Sequence, residues 1–355
     1  MSLQPPSPLS LSSESSQAIL RTLDSERPVR LGVLANPSAR RGRYSGDHVR
    51  MWRMLEEPGD LIATRSPAEV SAALEHLLVN RGVNALAIVG GDGTIHSVLN
   101  ALWPLLDALE AQTGQRVVPP PFLLLHGGTM NMASRAMETK TNPLRSIARF
   151  LDHARGQSVE SVNVKEVGVL SVTTSSSRLQ GLIFGSELVH NALEMHRLFG
   201  NGYRGLLSLL THVGVGSWFG TRTWKRHSHL LNAPKSSVVV DDVTYARYGA
   251  AVASTVDLKL IKGWVHSLRL GETSDSGFHA KILLEAEQMG MIRMLPTLLR
   301  NGRDPRIVDV EEASSLAVKG GFTLDGELYP QAPDAPVSVT LHPRRMRCFH
   351  PGGNG

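Results

Sequence analysis

Short apolar runs separated by helical stretches mark the first part of the chain. Residues 30–37 (RLGVLANP) read as a buried strand stopped by Asn-Pro, a turn signal. Residues 60–64 (DLIAT) read as a second strand. After it, Ser66, Pro67 and Glu69 have the spacing of a capping box with proline at the first helical position. Val70, Ala73, Leu74, Leu77 and Leu78 then form one apolar helical face that Gly82 ends. Residues 85–89 (ALAIV) are apolar throughout, as a strand covered on both faces requires. A helix is expected to follow with Thr94 as its N-cap and Ile95, Val98, Leu99 and Leu102 on its buried side. Residues 121–125 (PFLLL) form a fourth strand running into His126-Gly127-Gly128-Thr129. Asn142-Pro143 opens another helix, which buries Leu144, Ile147, Phe150 and Leu151 and closes at Gly156. Strands alternating with helices predict a parallel α/β sheet.

The rhythm changes after about residue 157. Residues 236–248 pattern as a hairpin turning at Asp241-Asp242, and 278–287, 314–329 and 335–343 also have strand character. Helical patterns interrupt them around 188–198, 205–213 and 289–299. The fold expected is therefore α/β: an N-terminal parallel α/β nucleotide-binding domain and a larger C-terminal antiparallel, sandwich-like β domain. The expected boundaries are a disordered tail over 1–26, a first domain over 27–157 and a second over 158–350.

Composition narrows the class of protein. The chain has 355 residues, 41% hydrophobic and 19% charged, which suits a globular protein of two domains. Its formal charge of +5 favours anionic partners such as nucleotide phosphates or an anionic membrane surface. One cysteine, Cys348, rules out an intrachain disulfide and points to a reducing compartment. The first residues are rich in Ser and Pro, without the basic and apolar regions of a signal peptide. No apolar run approaches the roughly 20 residues of a membrane span.

The candidate chemistry lies where the third strand meets Gly90-Gly91-Asp92-Gly93-Thr94. In an open α/β sheet, ligands bind at the carboxyl ends of the strands. Glycines there admit a ligand close to the backbone, and a helix N-terminus adds positive potential, which suits a polyphosphate. Asp92 in such a nest would repel phosphate unless a divalent cation lay between them; otherwise it is a structural turn residue. No P-loop, dinucleotide fingerprint or protein-kinase signature occurs, and no Cys/His set has zinc spacing.

The GGDGT string resembles the glycine-rich nucleotide loop of the diacylglycerol kinase catalytic-domain family, which includes bacterial lipid kinases, sphingosine kinases and ceramide kinases. By residue usage it arises by chance on the order of once in a few thousand chains of this length. Further segments match in order: LANPSARRG (34–42) is similar to the opening Asn-Pro turn, and Thr64 stands where the family has a nucleotide-contacting threonine. GGTMNMASRA (127–136) is similar to the Gly-Thr-x-Asn segment, and FTLDGELY (322–329) resembles the Asp-Gly-Glu motif. NAD kinases share GGDGT, but the second glycine segment and Asp-Gly-Glu favour a lipid kinase. Met132, His96 and His126 depart from residues common at those positions.

The resemblance implies a two-domain kinase with ATP at the interdomain cleft. Asn36, Pro37, Thr64, Gly90, Gly91, Asp92, Gly93, Thr94, His96, Gly128, Thr129 and Asn131 would form the nucleotide site. Asp92 would organise Mg²⁺, and Glu327 would deprotonate a lipid primary hydroxyl. Diacylglycerol is the default acceptor, with ceramide or sphingosine as alternatives. A catalytically silent nucleotide- or lipid-binding regulator is the alternative of another class. The partners implied are ATP and a lipid at a membrane surface, with no nucleic acid; a homodimer is also compatible. The expected location is cytoplasmic, with reversible membrane association. On the residues alone, a hairpin turn with an exposed Glu is the better reading of LDGEL, and the resemblance is what favours catalysis. Arg344, Arg345 and Arg347 either face anionic lipid or form ordinary surface.

Overall fold

The computed structural model describes residues 12–39, 50–55, 57–128, 131–137, 142–199, 236–260, 265–268, 277–284, 290, 297 and 304–350. Their first element is helix α1 (Ser13–Thr22), capped by Ser12, whose side chain accepts from the Ser15 N–H. Ile19 is fully buried, and the Thr22 hydroxyl donates to the Leu78 carbonyl. For residues 12–26 this corrects the expectation of disorder; residues 1–11 lie outside the described residues. The Ile19/Leu23 pair anchors a Ser-rich stretch that composition alone reads as tail.

The following elements alternate as the apolar pattern requires: β1 (Leu31–Ala35), β2 (Leu61–Ala63), α2 (Pro67–Glu75), β3 (Ala85–Gly90), α3 (Asp92–Thr113), β4 (Phe122–His126), α4 (Met132–Ala136), α5 (Pro143–Ala154) and β5 (Val164–Val167). Strand β1 lies between β2 and β3, and β3 pairs with β4, all in parallel. Ser66 caps α2 by accepting from the Glu69 N–H, while the Glu69 carboxylate accepts from the Arg65 N–H. Asn142 caps α5 in the same way. On one sheet face Ile147, Phe150 and Ala154 of α5 pack with Val33, Ala87, Val89 and Leu125. Gly82, at φ +63°, ends the α2 segment as its residue type predicts.

The second unit is antiparallel. Its strands are β6 (Leu170–Thr173), β7 (Arg178–Gly181), β8 (Ile183–Glu187), β9 (Val238–Val240), β10 (Val243–Tyr245), β11 (Ala250–Ser254), β12 (Leu258–Leu260), β13 (Val265–Leu268), β14 (Phe278–Leu283), β15 (Ile307–Ala313), β16 (Ser315–Lys319), β17 (Phe322–Leu324), β18 (Glu327–Tyr329) and β19 (Pro336–Leu341), with helix α6 (Leu188–Phe199) after β8. One six-stranded sheet runs β10-β9-β16-β19-β6-β7 and the other β15-β14-β11-β8-β17-β18, while β12 and β13 form a separate hairpin. Residues from both large sheets, among them Val172, Leu316 and Val339 from one and Phe184, Ala280 and Phe322 from the other, share one core. That is a β-sandwich. The expected hairpin turns at Asp241-Asp242, both at positive φ (46° and 70°).

The chain then returns to the first unit. Strand β20 (Met346–Phe349) pairs parallel with β4 and antiparallel with β5, giving the order β2-β1-β3-β4-β20-β5. The compact units accordingly are 12–167 with 343–350, and 168–342, rather than a division at 157. Arg344, only 8% exposed, pairs with Asp107 and with Glu110 at 2.7 Å, so it is bound within the first unit and is not surface. The helix expected over 205–213 lies outside the described residues, as does that over 289–299 except for residues 290 and 297. No helix among the described residues is long and apolar enough to cross a membrane.

Candidate active site

Two glycine pairs meet at the carboxyl ends of β3 and β4. The N–H groups of Gly127 and Gly128 both donate to the Gly90 carbonyl, at 2.8 and 3.1 Å. A Cβ on Gly127 would lie 2.5 Å from the Gly90 nitrogen, and one on Gly128 would lie 2.4 Å from the Gly91 Cα. A Cβ on Gly90 would fall 2.4 Å from the Thr94 side chain. The glycines are therefore required by backbone-to-backbone packing between the two loops. Gly91 is the N-cap and the helix begins at Asp92, which corrects Thr94 as the cap. Gly93 and Thr94 lie in its first turn.

Asn36 ties β1 to this turn. Its N–H donates to the Val89 carbonyl at 2.8 Å, and its Nδ2 donates to the Thr94 Oγ1 at 3.1 Å. Its Oδ1 accepts from the Ser38 N–H, which shapes the turn through Pro37. Beside it, the Thr64 N–H donates to the Ala35 carbonyl at 2.8 Å. The Thr64 hydroxyl is buried without a hydrogen-bond partner. Such an orphaned hydroxyl costs stability unless something fills its place. Asn36, Thr64, the Gly90–Thr94 loop and Gly128 thus all stand at the carboxyl edge of four adjacent parallel strands.

The Asp92 carboxylate accepts from the Ala133 N–H at 3.1 Å, linking the first loop to α4. Asn131 has a structural part that the sequence reading missed. It adopts a left-handed conformation (φ 50°), its Oδ1 accepts from the Gly128 N–H at 2.7 Å, and its Nδ2 donates to the Gly128 carbonyl at 2.8 Å. The spacing Gly-x-x-Asn was the signal for this closed loop. Thr129 lies outside the described residues. His96 is 4% exposed and sits against Asn100, one turn along α3, as a buried polar packing residue.

The second unit carries Glu327. Leu324 and Glu327 pair across a two-residue turn, Asp325-Gly326, with φ of 53° and 84°. That is the hairpin that Asp-Gly favours. Asp325 is buried, and its Oδ1 accepts from the N–H groups of Leu182 and Ile183 at 2.9 and 3.0 Å. A Cβ on Gly181 would strike this carboxylate at 2.6 Å, so Gly181 makes room for it. Asp325 anchors the turn, and half-buried Glu327 begins the strand after it. Burial pushes the Tyr329 phenol well above its ordinary range, and the carboxylates of Glu327 and Asp325 add to this.

The donor set suits a nucleoside triphosphate carrying its own cation. Small residues open the backbone at the strand ends, the Thr64 hydroxyl lacks a partner, and Asp92 is a carboxylate at the loop. No group of three or more His, Cys, Asp or Glu able to hold a metal occurs among the described residues.

Residues 30–166 match the family model of the diacylglycerol kinase catalytic domain. The match covers the first unit's central segment and is one of resemblance to that catalytic domain. Three solved structures from Bacillus anthracis str. Sterne are similar in fold. One described as a diacylglycerol kinase is 12% identical, with a TM-score of 0.58 over 90% of this chain and 96% of its own. Two provisionally assigned as diacylglycerol kinases are 16% and 14% identical, with TM-scores of 0.60 and 0.62 over 90% of this chain and 97% of theirs. At these identities the likeness is one of fold. No curated protein matches the chain in sequence.

Proposed function

We propose that the protein is an ATP- and Mg²⁺-dependent lipid kinase, with diacylglycerol as its default acceptor and ceramide or sphingosine as alternatives. The observation that carries this reading is the pair of interlocked glycine loops at the strand ends, within a segment that matches the diacylglycerol kinase catalytic domain. Phosphoryl transfer asks a protein chiefly to position reactants and neutralise charge. Asn36, Thr64, the Gly90–Thr94 loop and Gly128 would hold the nucleotide, and Asp92 would hold its cation. Bound Mg²⁺ would neutralise charge on the phosphates. Glu327 is the base: its carboxylate takes the proton of the lipid hydroxyl as the oxygen bonds to the γ-phosphorus. The bond from that phosphorus to the β,γ-bridging oxygen breaks, and ADP leaves with the electron pair. General-base help of this kind contributes about 10²–10⁴-fold.

The acceptor is proposed to be reached at the membrane surface from the cytoplasmic side, reversibly, with the basic charge of the chain favouring anionic lipid. The test is incubation with labelled ATP and Mg²⁺ on vesicles containing diacylglycerol, ceramide or sphingosine, followed by separation of the phospholipid products. A labelled phosphatidic acid supports the default acceptor, whereas label in the other two lipids reassigns it. Label in none of them contradicts the kinase reading.

A further inference from the structure

Arg135 stands out beside the two glycine loops. It lies in α4, the short helix whose Ala133 N–H donates to Asp92. Its own backbone N–H donates to the carbonyl of Asn131, one turn earlier. Asn131 in turn clasps Gly128, which packs on Gly91. Helical side chains tilt toward the N-terminus and a turn rises about 5.4 Å, so the level of the loops is within reach of a long side chain at this position. Among the described residues no carboxylate pairs with it, and its Nε is buried without a hydrogen-bond partner. Arg135 as a whole is half-buried, whereas Arg344, the strongly buried arginine among this unit's described residues, is held by two carboxylates. A guanidinium with a buried, unpaired N–H is costly unless an anion completes it.

We propose that Arg135 binds the terminal phosphoryl group of the bound nucleoside triphosphate and neutralises its charge during transfer. This rests on the nucleotide reading above. Two features point to the phosphates. Asp92, to which α4 is tied, would hold the cation that a triphosphate carries, which would set α4 beside the phosphates rather than the nucleoside. Guanidinium also matches phosphate with paired N–H donors, which a lone ammonium does not. The bonds made and broken are those of the transfer itself, and Arg135 gives up no proton.

The experiment compares the wild-type chain with Arg135→Ala and Arg135→Lys. Binding of ADP and of the β,γ-imido triphosphate is measured by calorimetry with Mg²⁺, alongside the melting temperature. The wild type should prefer the triphosphate. Arg135→Ala should reduce that preference by about 10- to 100-fold, the scale of a charged hydrogen bond, while ADP affinity stays within about threefold. Free ethylguanidinium should restore part of the preference to Arg135→Ala, and Arg135→Lys should retain part of it. An undiminished preference in a folded Arg135→Ala protein overturns the proposal. Equal loss of ADP and triphosphate with a lowered melting temperature also overturns it, since that marks a structural residue. A wild type that binds neither nucleotide refutes the underlying nucleotide reading instead.

Discussion

Replacing Gly127 by alanine is expected to force apart the two loops on which the site depends. The added Cβ would meet the Gly90 nitrogen at 2.5 Å, its Cα at 2.6 Å and its carbonyl carbon at 2.8 Å. These are backbone atoms, so no side-chain rotation relieves the contact. Reaching ordinary van der Waals separation needs a shift of roughly 0.9 Å, which also stretches the 2.8 Å bond from the Gly127 N–H to the Gly90 carbonyl. Overpacking of this kind typically costs about 1–3 kcal/mol. For a unit of this size that lowers the melting temperature by roughly 2–12 °C. A displacement near 1 Å in a positioning element costs about 10²-fold in turnover. Scanning calorimetry reads the first effect and steady-state turnover the second, with nucleotide titration beside them. Gly114→Ala is the control: Gly114 caps the far end of α3 at φ +67° with open space around it. It should lose about 1–2 kcal/mol from the left-handed backbone and leave nucleotide affinity unchanged. A Gly127→Ala protein with wild-type melting and nucleotide affinity would refute the packing argument.

Asp92→Asn should lower turnover at least about a hundredfold with the fold intact, the scale of a lost preorganised electrostatic group; near-normal activity would reduce Asp92 to a turn residue. Glu327→Gln should cut lipid phosphorylation about 10²–10⁴-fold at nearly unchanged melting temperature and ATP affinity. By contrast Asp325→Ala should lower the melting temperature, because two buried N–H groups lose their acceptor at about 1–3 kcal/mol each. Burial raises the Asp241 carboxyl, but hydrogen bonds from Ser314 and Ser315 outweigh it and hold it below its ordinary value. The stability it adds is present above about pH 4 and fades as pH falls through the lowered value, so Asp241→Asn should flatten the acid limb of the melting curve. Sedimentation with anionic vesicles should weaken at high salt, and equal binding to neutral vesicles would discount electrostatic attachment.

The alternation of apolar runs made the parallel sheet legible, and the glycine strings marked the interlocked loops at its carboxyl edge. Capping residues Ser66 and Asn142, and the turns at Asp241 and Asp325, formed where their chemistry asks. What local pattern did not carry was long-range. The return of residues 346–349 between β4 and β5 depends on pairing with strands far away in sequence, and the Arg344 ion pairs depend on that return. Three clustered arginines therefore read as surface. The burial of His96 was not legible either, because proximity in sequence to a loop does not decide which helix face a residue occupies. Asn131 was named as a site residue, but its clasp on Gly128 within the same loop was not read from the Gly-x-x-Asn spacing.

The central claim is that this chain passes a phosphoryl group from ATP to a lipid. It is tested most directly by measuring ADP release with and without diacylglycerol vesicles, in the wild type and in Glu327→Gln. The account predicts lipid-dependent release matched by an equal amount of phosphorylated lipid, and its near loss in Glu327→Gln. Nucleotide binding without lipid-dependent release in the wild type would contradict it and leave a silent regulator in its place.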